Sequence, residues 1–298
     1  MWCWLLVWIL NFDICHYLPM PIKVYRTNRA ARKRSSIVDR RGLWRTSAHK
    51  SLTGPKKRTS GRGSKGTITV RHRGGGAKHL WRHVDFGQDK QDVSARVERV
   101  EYDPNRSSFI ALLLYEDGER RYVLAWDGIS VGDAIVAKPD APERRGNRLQ
   151  LRHVTPGSTV FNVEMAAGRG GRLFRSAGSY GVVMDVQDAF AQLKMPSGEV
   201  RQIPVEAWAT FGSVSNLDHR LERAGSAGRV RRRGRRPQVR GKVMNPNDHP
   251  HGGGEGNQPV GLKHPKTKWG KPAFGVKSRK RGKYSDRYIV QSRKKSGR

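Results

Sequence analysis

An aspartate and two histidines lie close together in a glycine-rich stretch at residues 241–256. Asp248, His249 and His251 are of types that can perform general acid–base catalysis, because an imidazole titrates near neutral pH. A His-x-His pair can also chelate a metal ion, but only one carboxylate and no cysteine lie nearby, which disfavours a closed zinc site. The run His-Gly-Gly-Gly is also typical of esterase oxyanion loops, an interpretation that requires a Gly-x-Ser-x-Gly elbow elsewhere.

The same stretch has features that favour binding over chemistry. Glycines 252–254 allow positive φ angles and a close approach of the backbone to a ligand. Seven arginines precede the stretch in residues 229–240, and a lysine-rich tail follows it. A flexible linker is an alternative, although a linker has no use for this mixture of prolines and titratable residues. A loop flanked by so much positive charge suits a folded polyanion better than a small substrate.

The charge of the chain is strongly positive and unevenly distributed. The 298 residues carry a formal net charge of +34, which indicates a nucleic acid or an anionic membrane as partner. Residues 20–85 hold 19 lysines and arginines against 2 acidic residues, and residues 221–298 hold 23 against 4. Residues 86–220 hold 17 against 18. A nearly neutral centre therefore carries two basic arms that are poor in aliphatic residues.

The first nineteen residues differ in character from the rest. They contain both cysteines, Cys3 and Cys15, so there is no disulfide framework and a reducing compartment fits. Residues 2–10 are apolar, but nine residues are too few to cross a bilayer, and we expect no membrane partner. Neither a signal peptide nor a transit peptide matches. We expect residues 1–19 to be a non-native upstream stretch, with Met20 as the natural start.

The central region has the pattern of short β-strands joined by tight turns. Two sets of strands, each of the size of a small barrel, are separated by a polar linker at 139–152. A strand signal also occurs at 67–72, and residues 217–221 could form a helical turn. The predicted strands of the two sets lie near 97–102, 109–115, 121–124 and 132–136, and at 159–165, 181–186, 189–195 and 200–205.

Two glycine-arginine runs are candidates for contact with phosphate. In the first, glycines 74–76 permit backbone approach, and four basic residues can neutralise charge. These four residues are Arg71, Arg73, Lys78 and Arg82. Trp81 or His79 could stack on a base, although Trp81 could equally pack against the first barrel. The second run lies at 167–178.

Several long runs of this sequence resemble the universal ribosomal protein L2 family of the large subunit, in its bacterial type. They include Thr-Ile-Thr-Val-Arg-His-Arg-Gly-Gly-Gly at 67–76, Glu-Tyr-Asp-Pro-Asn-Arg-Ser at 101–107 and Arg-Ser-Ala-Gly at 175–178. The most specific is Met-Asn-Pro-Asn-Asp-His-Pro-His-Gly-Gly-Gly-Glu-Gly at 244–256. The resemblance extends from Met20 to the C-terminus.

The resemblance implies a mainly β fold with an OB-fold barrel followed by an SH3-like barrel. The implied segments are a basic N-terminal extension at 20–78, the OB-fold at 79–145, the SH3-like barrel at 146–220 and a basic C-terminal extension at 221–298. It also implies RNA contacts by Arg106 and Arg175. A basic pair that family members carry is replaced here by Gly87 and Gln88, although Lys90 is kept.

The resemblance further implies a structural, non-enzymatic constituent of the large ribosomal subunit that binds its rRNA and supports subunit association. It places the glycine-rich loop, with His249, near the peptidyl transferase centre. Implied partners are other ribosomal proteins and the small subunit, without cofactor or metal, in cytoplasmic rather than organellar ribosomes. The expected rRNA-binding residues are Arg71, Arg73, Lys78, Arg82, Lys90, Arg106, Arg175, Arg232, Arg236, Arg240, His249, His251, Gly252, Gly253, Lys263 and Lys268.

Two other function classes remain as alternatives. The first is another nucleic-acid-binding protein with basic tails, such as an RNA chaperone or a packaging protein. The second is a hydrolase that uses Asp248, His249 or His251. We regard an assembly or RNA-positioning role for His249 as the better interpretation, because its sequence neighbour Asp248 is poorly placed to orient it as a general base.

Overall fold

A computed structural model of the chain describes residues 22–25, 35–280 and 282–293. The expectation about residues 1–19 therefore falls outside the described residues. The described chain divides into two compact units. Unit 1 comprises the described residues up to Lys57, together with His79–Ser226 and the residues from Arg287 onward. Unit 2 comprises Arg58–Lys78 and Ala227–Asp286.

The first sheet of unit 1 is antiparallel and has the strand order β7-β6-β5-β8. Its central strand β6 is an apolar run, Phe-Ile-Ala-Leu-Leu-Leu-Tyr, because both of its faces are buried. Phe109, Ala111 and Leu113 face the main core, whereas Ile110 and Leu112 pack with Tyr122 on the other side. The strands are β5 Ala95–Tyr102, β6 Phe109–Tyr115, β7 Arg120–Leu124 and β8 Ala134–Ile135.

The second sheet of unit 1 has the order β15-β13-β12-β11-β10-β14-β9. Alternating inward residues such as Val183, Ala191 and Leu193 are fully buried and join the same core as the first sheet. The strands are β9 Arg148–Gln150, β10 Thr159–Phe161, β11 Gly181–Val186, β12 Phe190–Lys194, β13 Val200–Pro204, β14 Trp208–Phe211 and β15 Ile289–Gln291. The two sheets confirm the predicted mainly β architecture of an OB-fold followed by an SH3-like barrel.

Shorter elements surround these sheets. Strands β1 Ile22–Val24 and β2 Ser36–Val38 form one antiparallel pair, and β3 Thr53–Gly54 and β4 Trp81–Arg82 form another. The α-helix α1 spans Ala227–Arg232 in unit 2. The remaining helical elements within the described residues are the 3₁₀ helices Lys50–Leu52, Leu151–His153, Leu217–Leu221, Gly241–Val243 and Tyr284–Tyr288. Among the helices in the described part of the chain, none is long and apolar enough to cross a membrane.

Two local predictions are wrong, and one is confirmed. Residues 67–72 form turns, with a single isolated bridge between Ile68 and Arg62, because the chain folds back onto Gly61 instead of extending. The predicted linker at 139–152 contains β9, whose Arg148 and Leu149 are buried. The polar composition of this segment wrongly indicated an exposed linker, because Arg148 is buried together with an acidic partner. The predicted helical turn at 217–221 is confirmed as a 3₁₀ helix.

Candidate nucleic-acid interface

Arg106 and Arg175, which belong to two separate motifs, converge on one aromatic ring in unit 1. The guanidinium carbon of Arg106 lies 5.4 Å from the centroid of the Phe86 ring, and that of Arg175 lies 4.5 Å from it. Both distances are within the range of a cation–π interaction. The structure therefore brings together the two arginines for which the family resemblance implied RNA contacts.

The turn that carries Arg106 is held rigidly by a buried aspartate. Asp103 is fully buried, and its carboxylate accepts hydrogen bonds from the Asn105 amide at 2.8 Å and from Arg106 Nε at 2.5 Å. A buried carboxylate that accepts a backbone N–H fixes the path of a turn. Arg106 is thus positioned before any ligand arrives.

The loop that carries Arg175 is tied to the same turn. The Ser107 hydroxyl accepts a hydrogen bond from the Ala177 amide at 3.1 Å, and the Ser108 hydroxyl donates one to the Arg175 carbonyl at 3.5 Å. Asn216 donates from its side-chain amide to the Ser107 carbonyl at 2.6 Å. These contacts between distant parts of the chain fix the separation of the two arginines.

The second glycine-arginine run is anchored on the carbonyl of Phe86. The Gly171 amide donates to this carbonyl at 2.9 Å, and Asn162 donates to it at 3.2 Å. A Cβ on residue 171 would lie 2.1 Å from Asn162 Oδ1, so only glycine fits at this position. The Phe86 ring and the arginine loop are consequently held as one arrangement.

Positive charge accumulates around this ring. Burial lowers the pKa of the Arg175 guanidinium below its ordinary value, and the neighbouring cations Arg106 and Arg172 act in the same direction. Three arginines and one acidic partner, Asp103, therefore share the site. An anion such as phosphate would relieve the repulsion between the arginines and accept charge-assisted hydrogen bonds from them.

Lys90 has a different environment. Its ammonium group forms ion pairs with Asp117 and Glu119 on the β6–β7 hairpin and lies 5.1 Å from the Tyr115 ring centroid. The side-chain hydrogen bond to Asp117 is the largest influence that raises the pKa of Lys90. Because the two carboxylates of the hairpin balance its charge, Lys90 is less suited to binding phosphate than Arg106 and Arg175.

Gly87 and Gln88, which stand where the family resemblance implies a basic pair, form a turn. Both amides donate to Asp85 Oδ1, at 2.8 and 2.7 Å. Gln88 is buried and has a positive φ of 46°. This turn directs the backbone that presents Phe86.

In unit 2, the first glycine-arginine run lies beside the arginine-rich segment that follows α1. The Gly74 amide donates to the Gly234 carbonyl at 2.8 Å, and the Arg236 amide donates to the His72 carbonyl at 3.0 Å. Arg73 forms an isolated bridge with Arg235. The exposed Arg71, Arg73, Arg232 and Arg236, predicted from separate parts of the sequence, thus belong to one compact unit.

The glycine-rich loop has a defined path. The Gly252 amide donates to the His249 carbonyl at 2.8 Å, and the Gly253 amide donates to the Met244 carbonyl at 3.0 Å. The His249 and His251 rings are 4.6 Å apart between centroids and tilted by 57°. A Cβ on residue 241 would lie 2.4 Å from His249 Nδ1, so the ring packs directly on the glycine backbone.

Each histidine of this loop uses one ring nitrogen as an acceptor. His249 Nδ1 accepts a hydrogen bond from the His251 amide at 3.0 Å, and His251 Nε2 accepts one from the Lys266 amide at 2.8 Å. Burial lowers the pKa of His249, and the neighbouring His251 and Arg71 lower it further. A neutral imidazole whose acceptor nitrogen is occupied presents only an N–H donor to a ligand.

The other predicted residues lie elsewhere in the two units. Arg240, Lys263 and Lys268 are exposed in unit 2, and Lys268 Nζ lies 5.1 Å from the Trp269 ring centroid. In unit 1, Trp81 is 40% exposed and lies 5.1 Å from Lys56 Nζ, so its ring is available for stacking. Lys78 is exposed, whereas Arg82 is partly buried in β4.

The hydrolase alternative has little support in this geometry. The run Gly-Ile-Ser-Val-Gly at 128–132 does match the pattern of a nucleophile elbow. However, it forms a turn between β7 and β8 in which the Ser130 amide donates to Asp133, and no helix follows it as the elbow requires. Among the described residues, no three His, Cys, Asp or Glu side chains are grouped closely enough to hold a metal ion.

Several residues of the interface were not evident from sequence. Phe86, Asn162 and Asn216 organise the arginine cluster, yet none of them lies in a basic or glycine-rich run. Asn216 has a positive φ of 66°, which asparagine tolerates better than most residues. An asparagine in the sequence does not by itself predict this conformation. Arg172 was visible only as a member of the second glycine-arginine run.

Comparison with known protein families agrees with the fold. The family model for the RNA-binding N-terminal domain of ribosomal proteins L2 matches residues 49–137, and the model for the C-terminal domain of the same proteins matches residues 144–270. Together the two matches span more than half of the chain and include Phe86, Arg106, Arg175 and the glycine-rich loop. The chain therefore belongs to the ribosomal protein L2 family, and it is a structural, RNA-binding protein of the large ribosomal subunit.

Proposed function

We propose that the arginine cluster around Phe86 and the basic loops of unit 2 are the surfaces by which this chain binds large-subunit rRNA. The convergence of Arg106 and Arg175 on one ring is the observation that carries the proposal. Two guanidinium groups fixed by backbone contacts lose little conformational entropy when they bind a phosphate or a base edge.

We also propose that the glycine-rich loop lies close to the peptidyl transferase centre and acts there by hydrogen bonding. The support is that His249 Nδ1 and His251 Nε2 already accept backbone hydrogen bonds. The remaining N–H groups can donate to a phosphate or a 2′-hydroxyl oxygen and so fix local RNA geometry. A general base needs a free acceptor nitrogen, which neither ring offers in this arrangement.

We also propose a wider setting for the chain, with its membership of the ribosomal protein L2 family as the support. The proposed partners are other ribosomal proteins and the small subunit at the intersubunit interface, in a cytoplasmic rather than an organellar ribosome. The alternative of another nucleic-acid-binding protein with basic tails is disfavoured, because both matching family models describe ribosomal proteins.

Binding of purified full-length variants to large-subunit rRNA tests the proposal. Arg106→Gln and Arg175→Gln should each weaken binding by about 1–3 kcal/mol, or roughly 5- to 150-fold. Arg144→Gln is a matched control, because Arg144 is an exposed arginine of unit 1 outside the cluster. Its affinity should change less than about twofold. Equal effects of all three substitutions would show that only bulk charge matters and would refute the proposed site.

A further inference from the structure

Unit 2 contains an open cleft of about 420 Å³ between its two chain segments. Residues 72–74 line it from one segment and residues 236–237 from the other. Amide–carbonyl bonds from Gly74 to Gly234 and from Arg236 to His72 join the two segments. The family matches include the residues of this cleft but do not assign it a ligand. Its lining is unusual for so basic a unit, because it combines apolar and cationic side chains.

Part of the lining of the cleft is apolar and exposed. Ile68 and Val239 are 61% and 55% exposed, and both line the cleft together with Met244. Exposed aliphatic side chains in a concave surface favour a ligand with a flat or apolar body. A phosphate group alone would gain nothing from these side chains.

Cationic side chains line the same cleft. Arg71, Arg73 and Arg236 belong to its lining, and each is exposed. A ligand that fits must therefore carry both an apolar, planar part and a negative charge. An unstacked nucleotide has this combination, since its base has two apolar faces and its phosphate is an anion.

We propose that this cleft binds a single extruded nucleotide of RNA, with the base against Ile68, Val239 and Met244 and the phosphate against the lining arginines. The proposal rests on the proposed rRNA binding and makes it more specific. Paired RNA offers no free base to the cleft, so the site selects a bulge, a loop or a flipped residue. A double-stranded segment would offer only its phosphates, to the lining arginines.

Chemical footprinting of large subunits that contain the full chain tests this assignment. The informative variant is Ile68→Ala/Val239→Ala, which removes apolar contacts without altering charge and replaces only exposed side chains. Val276→Ala/Leu262→Ala is the matched control, because both residues are exposed in unit 2 and lie outside the cleft lining. Dimethyl sulfate and carbodiimide report the Watson–Crick edges of bases, and hydroxyl radicals report the backbone.

With the unaltered chain and the control, one unpaired base near unit 2 should be protected. In the Ile68→Ala/Val239→Ala variant its reactivity should rise several-fold, while backbone protection stays the same. As a second measurement, a photoreactive benzoylphenylalanine at position 239 should cross-link to that nucleotide, and the same group at position 276 should not.

Two results would overturn the proposal. One is that no base becomes reactive in the alanine variant although the subunits contain it. The other is that position 239 cross-links only within paired RNA. Both leave the proposed rRNA binding intact, whereas failure of the unaltered chain to enter large subunits would refute rRNA binding itself.

Discussion

The buried ion pair between Arg148 and Glu164 offers a sharp test of the SH3-like barrel. The two side chains are 1% and 2% exposed, and Arg148 Nη2 lies 2.9 Å from Glu164 Oε1. Glu164 also accepts a hydrogen bond from the Gly168 amide at 2.9 Å, at the start of the loop that leads to Arg175. Desolvation lowers the pKa of Arg148, whereas the Glu164 carboxylate acts in the opposite direction and compensates the buried charge.

Replacement of Glu164 by leucine should be strongly destabilising. Loss of one partner from a buried pair costs about 3–5 kcal/mol, because an uncompensated charge remains in the core. The Gly168 amide also loses its acceptor, but Gly168 is exposed and water can replace the carboxylate, so this loss adds only about 0.5–1.5 kcal/mol. The double variant Arg148→Met/Glu164→Leu removes the stranded charge and should recover the first cost but not the second. Its unfolding free energy should therefore lie about 3–5 kcal/mol above that of the single variant.

Urea unfolding followed by tryptophan fluorescence and circular dichroism measures these differences. Asp140→Asn is the control, because its pair with Lys138 is about half exposed on both sides, at 49% and 59%. The control should change stability by at most about 1 kcal/mol. If Glu164→Leu costs no more than the control, or if the double variant is no more stable than the single one, the pair is not buried as described.

Two further predictions concern the histidine loop and the C-terminal strand. By NMR, His249 should titrate at a lower pH than an ordinary histidine. Arg71→Gln should raise its midpoint while Arg73→Gln leaves it unchanged. Because the pKa is depressed in the folded chain, stability supplied by the neutral ring is present above the unfolded pKa of about 6.5 and is lost as the pH falls from there through the lower folded pKa. Ile289→Pro should increase amide hydrogen exchange in β13, because Ile289 pairs with Arg201 and proline cannot donate to the ladder. Val276→Pro is the control and should leave this exchange unchanged. Equal exchange in both variants would refute the edge pairing.

The strands that could be predicted from sequence are those whose signal is local. Strand β6 is a continuous apolar run bounded by turn residues, and its predicted limits of 109–115 agree with the structure. The turn sequences Asp-Gly at 117–118 and Pro-Ser-Gly at 196–198 are local in the same sense, because turn chemistry depends on a few adjacent residues.

The strands that were missed depend on distant partners. Strand β9 contains the polar residues Arg148 and Gln150. Arg148 can be buried because it forms an ion pair with Glu164, which lies 16 residues away in the sequence. Strand β15 lies among basic residues of the C-terminal extension. It is a strand because it adds to the edge of β13, with Tyr288 6.2 Å from Phe190 between ring centroids. No local pattern encodes either pairing.

The candidate site was predictable in part. The family resemblance implied Arg106 and Arg175, but their convergence on Phe86 required the structure. Likewise, composition identified both basic arms, whereas the pairing of residues 72–77 with residues 232–236 depends on backbone hydrogen bonds. Residue types reveal which charges are available, and only the fold decides which of them act together.

The most direct measurement is sedimentation of the tagged full-length chain in a high-salt sucrose gradient. High salt removes proteins that bind RNA through bulk charge alone, because such binding weakens steeply with salt concentration. We expect the chain to remain in the large-subunit fractions in a constant ratio to large-subunit rRNA, and Arg106→Gln/Arg175→Gln to reduce that ratio. A chain that washes to the top of the gradient, or that sediments with DNA or unassembled RNA instead, would contradict its assignment as a large-subunit protein.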